Sequence, residues 1–170
     1  MAGQVPERAQ VVIIGGGAAA FAAATKANDL GRTAVMINSG LPIGGTCVNV
    51  GCIPSKNLIR ATESLHQAKA ANRFLGIRGD AEITDWRAVM AQKDEIVTDL
   101  RQGKYIDVLP SYNNIAYIEG PVGLGVDVIA VNGEKMEAGK IVITTGASPA
   151  VPSIPGIEDV SFLTSTTALE

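Results

Sequence analysis

Short β-branched runs and helical apolar stripes alternate along the chain. Residues 11–14 (Val-Val-Ile-Ile) form the continuous apolar run expected of a parallel strand buried on both faces. Three glycines follow, and then an Ala-rich stretch over 18–30 that predicts a helix, with Gly31 suited to the position just past its C-terminus. Residues 34–37 (Ala-Val-Met-Ile) read as a second parallel strand, so 11–37 make a βαβ unit with a right-handed crossover. The segment 41–52 is Gly-rich and reads as irregular. Pro54 then fits the first turn of another helix, with Leu58, Ile59, Thr62 and Leu65 as its apolar face and Lys56, Arg60, Glu63 and Lys69 mostly elsewhere. A further helix is predicted over about 86–108, capped by Asp85. Its stripe is Trp86, Val89, Met90, Ile96, Val97 and Leu100, and Gly103 weakens its last turns. From residue 115 the period changes to that of strands, at 115–118, 126–131 and 140–144. Asn132-Gly133 is a hairpin signal, because a type I′ turn needs positive φ at both central residues. The stretch 147–170, with Pro149, Pro152 and Pro155, is predicted mostly as loop.

The 170 residues suffice for one domain with a core; 46% of them are apolar and only 18% charged. A net charge of −3 and the lack of any Lys/Arg stripe argue against a nucleic-acid partner. Residues 1–10 lack the basic and apolar regions of a signal peptide, and no apolar run approaches the roughly 20 residues that span a bilayer. The expectation is a soluble cytoplasmic protein without a membrane partner. The chain has two cysteines, Cys47 and Cys52, and in a reducing compartment such a close pair points to catalysis or metal binding.

Gly15-x-Gly17-x-x-Ala20 follows a predicted strand and opens a predicted helix. In such a turn the first glycine permits the bend, the second lets the backbone approach a pyrophosphate, and the small third residue packs helix on strand; the helix N-terminal amides face the phosphate charge. Asn38 stands at the end of the second strand, where an acidic side chain accepts hydrogen bonds from both ribose hydroxyls in the usual pattern. Asn can accept one such bond and donate another. Its alternative role is simply to start the next turn.

The block from Gly44 to Lys56 is the most informative stretch. Cys52 lies at the start of a predicted helix, where the macrodipole favours a thiolate, and Lys56 is one turn further on the same face. A disulfide closing so short a loop contributes only about 2 kcal/mol as a structural staple. A structural zinc site needs four ligands, and two thiols plus His66 fall short. The pair therefore reads as redox-active.

The turn at Gly15–Ala20, the block Gly44–Lys56 and the run Thr144-Thr145-Gly146-Ala147-Ser148-Pro149 resemble the pyridine nucleotide-disulfide oxidoreductases over essentially the whole chain. Within that family the stretches 103–105, 146–152 and 164–166, with Ser55 and Val48, are most similar to the branch that reduces mercuric ion; dihydrolipoyl dehydrogenase is the runner-up. The resemblance implies an α/β, Rossmann-like FAD/NAD(P)-binding fold with a parallel sheet, a βαβ dinucleotide unit and an appended β-meander. It implies an FAD-binding domain over 1–150 and a connector toward a nicotinamide-binding domain over 151–170.

Carried over by position, the resemblance has Gly15, Gly17 and Ala20 bind the FAD pyrophosphate, with Asn38 at the ribose. Gly45 and Thr46 lie along the flavin and its phosphates, Val122 meets the adenine through its backbone, and Thr145 and Gly146 border the cofactor. Cys52 is then the thiol against the flavin ring, Cys47 the interchange thiol, and Lys56 sits near flavin N5. NADPH is the implied reductant. The implied substrate is Hg(II), taken as a ligand by Cys47 and Cys52, or else a small disulfide or thiol. Family members continue into nicotinamide-binding and dimer-interface domains and are homodimers. The 170 residues are accordingly expected not to turn over by themselves and to expose apolar surface, with their own association state open. A flavin-binding or metal-sequestering thiol module without turnover is the alternative of a different class.

Overall fold

Strand β1 (Arg8–Ile14) is buried along its apolar half and forms parallel ladders with a strand on each side. The computed structural model describes residues 4–125 and 128–170. After β1 come helix α1 (Ala18–Asp29) and strand β2 (Ala34–Asn38), which pairs parallel to β1 from Val11↔Ala34 to Ile14↔Ile37. The Gly31 and Arg32 amides donate to Asn28 O and Ala27 O, with Gly31 at φ 63°, so α1 ends in a Schellman arrangement as its glycine predicts.

Helices α2 (Gly45–Asn49), α3 (Cys52–Ala70) and α4 (Trp86–Arg101) follow, then strands β3 (Ile115–Glu119), β4 (Val122–Leu124), β5 (Ile129–Val131) and β6 (Glu134–Ile143). The six-stranded sheet runs β3-β2-β1-β6-β5-β4, parallel from β3 to β6 and antiparallel beyond. It is thus the α/β, Rossmann-like arrangement with an appended meander. Strand β6 belongs to both parts. Its first residues face β5 across a turn in which Asn132 and Gly133 have φ 51° and 85°, and its remainder runs parallel to β1 from Arg8↔Glu137 to Ile14↔Ile143.

The period-2 alternation of the strands splits the core. Val12, Ile14, Val35, Ile37 and Ile118 meet Ile129, Val131 and Met136 of the meander on one face. On the other, Ile13, Ala34 and Met36 pack against Ala20, Phe21, Ala24 and Ala27 of α1. Small alanines let α1 lie close to the sheet.

Several sequence expectations need correction. Strand β1 begins three residues early and β6 six residues early, because their polar members Arg8, Gln10, Glu134, Lys135 and Glu137 face solvent while their backbones complete the ladder. The segment 41–52 is not wholly irregular, since it contains α2. Strand β4 went unread, with Gly123 inside it. Of the strand expected over 126–131, Val126 and Asp127 lie outside the described residues and 129–131 is β5. On α3, Ile59 is 59% exposed and Thr62 is also exposed, so the buried stripe narrows to Leu58 and Leu65, both half-buried. Helix α4 stops at Arg101 and passes into a π-helical turn (Gln102–Ile106) around Gly103. That turn points Tyr105 and Ile106 back onto the α1 core. Trp86 is exposed, while Lys93, which the stripe omitted, is buried.

The Asp85 carboxylate caps α4, accepting from the amides of Arg87 and Ala88 at 2.8 and 3.3 Å. The final stretch is mostly loop, with short 3₁₀ turns at Ile157–Asp159 and Thr167–Leu169. The Lys93 ammonium pins its end by donating to Leu169 O at 2.6 Å. Ile141, Ile143, Phe162 and Leu163 expose large apolar surfaces. Among the described residues, no helix is long and apolar enough to cross a membrane.

Candidate functional site: a glycine turn beside a dithiol

The chain leaves β1 toward β2 on one side and returns to it through β6 on the other, so a crevice opens at the carboxyl ends of these strands. The cleft there has a volume of about 310 Å³. Gly15, Gly17, Asn38, Gly45, Thr46, Val122, Thr145 and Gly146 all line it, so eight of the residues singled out from the sequence converge on one space. Ala20 lies beneath the cleft, fully buried between α1 and the sheet. Cys47, Cys52 and Lys56 sit outside the cleft wall. A larger groove of about 820 Å³, between α3, α4 and residues 81–85, contains none of the candidate cofactor-binding or catalytic residues.

The three glycines differ in what requires them. Gly15 has φ 132°, and a Cβ there would fall 2.2 Å from the Thr144 carbonyl oxygen. That crowding follows from Thr144, which donates from both its amide and its Oγ1 to Ile14 O at 2.8 and 2.9 Å. A Cβ on Gly16 would lie 2.5 Å from Asn38 Cγ and Oδ1. At Gly17, by contrast, a Cβ would meet only Gly45 Cα at 3.7 Å, so internal packing does not demand glycine there. Its bare face opens to the cleft. Gly17 is also the N-cap of α1, with no side-chain cap and no acid in the first turn, which leaves the first amides free for an anion.

Asn38 is buried at 8% exposure, and its Nδ2 donates to Leu41 O at 2.9 Å. It therefore both initiates the turn and faces the cleft. Tyr117, which donates to Glu119 at 3.2 Å, is pushed up to about 12 chiefly by burial; a hydrogen bond with Asn38 opposes this, and Glu119 adds to it.

Cys47 lies in α2 and Cys52 is the first residue of α3; both are free thiols and both are exposed. The Cys47 thiol is raised above its ordinary value, first by its hydrogen bond with Cys52, then by burial and by the charge of Cys52, with Lys56 pulling the other way. Gly51 makes this proximity possible, since a Cβ there would fall 2.8 Å from Thr46 O. The two sites are stitched together as well: the Gly44 amide donates to Gly16 O at 2.8 Å, and Gly45 abuts Gly17. The loop entering α2 is therefore bonded to the glycine turn.

Sequence reasoning missed several members of this arrangement. Asn49 and Gly51 stand inside the cysteine block and carried a signal of position. Arg101 comes some fifty residues later and carried none, while Tyr105 carried only the family likeness of the stretch 103–105. Tyr105 stacks edge-on against Phe21 with ring centroids 4.8 Å apart, and its ring comes within 3.1 Å of where a Gly44 Cβ would be. Burial raises its phenol, and the charges of Cys47 and Cys52 add to the effect. Among the described residues, no three His, Cys, Asp or Glu side chains gather to hold a metal ion.

Comparison with known proteins agrees with this geometry. The family model described as pyridine nucleotide-disulphide oxidoreductase matches residues 9–170. The chain is 45% identical over 161 residues to a mercuric reductase of Lysinibacillus sphaericus, covering 94% of the chain and 29% of that protein. It is 39% identical over 165 residues to the mercuric reductase of Shigella flexneri, with 94% and 29% covered. A leghemoglobin reductase of Vigna unguiculata is 37% identical over 167 residues, with 94% and 31% covered. Among solved structures, the Cu(II) complex of the HOCl-induced flavoprotein disulfide reductase RclA from Escherichia coli superposes with a TM-score of 0.73 at 31% identity, covering 96% of this chain and 34% of that one. The chain thus spans about a third or less of the length of these relatives. With the strand order, the glycine turn and the paired thiols in place, the chain belongs to the pyridine nucleotide-disulphide oxidoreductase family.

Proposed function

We propose that these residues are the FAD-binding and dithiol portion of an enzyme that reduces Hg(II) to elemental mercury with electrons from NADPH. The observation that carries this reading is the exposed pair of free thiols, Cys47 and Cys52, bonded through its entry loop to a glycine-lined cleft. The likeness to mercuric reductases supports the choice of substrate. On this reading 1–150 is the cofactor domain, 151–170 leads toward a nicotinamide-binding domain, and the enzyme works in the cytoplasm.

The cleft fits FAD because Gly17, the glycine of the turn that packing does not require, borders it beside unfilled helix amides. Gly15, Gly17 and the α1 N-terminus would hold the pyrophosphate, with Ala20 supporting them. Asn38 would hold the ribose, the Val122 backbone the adenine, and Gly45, Thr46, Thr145 and Gly146 the remainder. When bound, FAD supplies the two-electron chemistry between nicotinamide and dithiol. Lys56 would lower the cost of negative charge beside Cys47, a role supported by its opposing pull on that thiol.

Hg(II) is a soft ion that prefers two thiolates in near-linear array. Cys47 and Cys52 each give up a proton on binding it, so one Hg(II) displaces two protons. Two electrons then release elemental mercury, and the thiols regain their protons. On this reading Cys52, at the head of α3, is the sulfur from which exchange starts on the cofactor side, and Cys47, on α2, is the partner that meets substrate.

The test is mercury-dependent NADPH oxidation by the longest polypeptide that the reading frame encodes, with loss of activity in C47A and C52A. Lipoamide-dependent turnover without a mercury response would reassign the dithiol to a small disulfide. Tight flavin binding with neither activity would leave a non-catalytic module.

A further inference from the structure

Asn49 lies between the two cysteines in sequence, and both ends of its side-chain amide are engaged. Its Nδ2 donates to Gly45 O at 2.8 Å, Pro42 O at 2.9 Å and Ile43 O at 3.2 Å, gathering the entry loop onto α2. Its Oδ1 accepts from the Arg101 guanidinium at 2.9 Å, in a partly buried contact across 52 residues of sequence. Arg101 is the last residue of α4, just before the π-helical turn that carries Tyr105. Helix α2 has only five residues and no side-chain cap, so it cannot hold its own orientation. Beyond the bond of its entry loop to the glycine turn, the Asn49 amide, braced from outside by Arg101, ties α2 to that loop and to α4.

We propose that Asn49 and Arg101 are positioning residues that set the approach of Cys47 to Cys52. The inference rests on the reading of the two cysteines as a redox pair. A disulfide forms only within a narrow range of Cα separation and torsion, so the orientation of a one-turn helix carrying one sulfur governs how readily the bond closes. The cations acting on the Cys47 thiol include Lys56 and not Arg101. Arg101 therefore acts through the hydrogen bond and the placement of α2, rather than through its field. A dithiol whose sulfurs are held together closes to the disulfide more readily than one whose sulfurs wander, as in any intramolecular reaction with a high effective concentration.

The experiment is equilibration of the full chain with glutathione redox buffers. The pair transfers two electrons and two protons to glutathione disulfide, forming the Cys47–Cys52 bond and releasing two glutathione thiols. No bound flavin is needed. In R101M and N49A the equilibrium constant for disulfide formation is expected to fall about tenfold, the scale of one lost hydrogen bond to a charged group. The pH midpoint of Cys47 alkylation is expected to fall toward its ordinary value in R101M, because the thiol loses part of its contact with Cys52, and R101K is expected to recover part of the constant by keeping a donor. The double variant is expected to fall no further than the single ones. Constants within twofold of wild type in R101M and R101Q would overturn the proposal, as would full additivity in the double variant. A rise of the Cys47 pH midpoint in R101M, the sign expected from loss of a neighbouring cation, would replace positioning with direct electrostatics and would overturn it too. Failure of the wild-type pair to form a disulfide in any buffer would instead reject the redox reading beneath it.

Discussion

The Asn38 side chain lies where the Cβ of any residue other than glycine at position 16 would have to be, 2.5 Å from its Cγ and Oδ1. The middle glycine of the turn is thus required by the strand beside it, independently of any ligand. G16A is expected to destabilise the chain by about 1–3 kcal/mol, the range for overpacked interiors. It should also weaken flavin retention by displacing Asn38. Urea unfolding and flavin-binding fluorescence check both. Adding N38A should restore only part of the loss, since the Asn38 Cβ itself is 2.9 Å from that point.

The Cys47 thiol responds to its two neighbours with opposite signs. Cys52 raises it and Lys56 lowers it. In C52A the pH midpoint for alkylation of Cys47 should therefore fall toward the ordinary 9.0, and in K56M it should rise. Rates of iodoacetamide labelling against pH, followed on the Cys47 peptide by mass spectrometry, give the sign of each. A raised thiol holds its proton more tightly when folded, so its contribution to stability is present below 9.0 and is lost as pH climbs past that value.

The parts of this arrangement legible in sequence are those where local preference and tertiary role agree. Val12 and Ile13 are β-branched and buried, the alanines of α1 both favour helix and admit close packing, and Gly31 and Asn132-Gly133 occupy the positive-φ positions they imply. The polar ends of β1 and β6 were illegible because exposed residues carry no period; the backbone ladder alone makes them strands. Helix α2 was hidden by its glycines. The eight cleft residues could be gathered because a turn fingerprint and a family likeness name them. The Arg101–Asn49 contact could not, since nothing in a single sequence ties positions fifty residues apart.

Tyr117 is expected to titrate near 12. Because its folded value is raised, the folded chain binds more protons between about pH 10 and 12, and stability should drop as pH rises through that window. Ultraviolet difference titration of wild type and Y117F tests the assignment, and E119Q should lower the midpoint.

Asp85 holds the first turn of α4 through two amides. D85A is expected to cost about 0.5–2 kcal/mol in urea unfolding, and D85N or D85S to recover most of it.

Lys93 is 3% exposed and splits its ammonium between Leu169 O and Asp94. K93M should leave that carbonyl without its donor and loosen residues 164–170. Faster amide exchange and earlier proteolytic clipping of that stretch, with the sheet unchanged, are the expected signs.

Strand β1 acquires its two neighbours at very different moments in the life of the chain. Its bond partner on the far side, Thr144, lies 130 residues away. At about 5–20 residues per second, a ribosome delivers that partner on the order of ten seconds after β1 has emerged. In that interval Val12 and Ile14 have β2 beside them but lack β6 and the meander that will cover them. The crevice at the head of β1 is consequently among the last features to be assembled. A nucleotide cofactor arriving during synthesis finds no pocket, and can only select chains that have already closed the sheet.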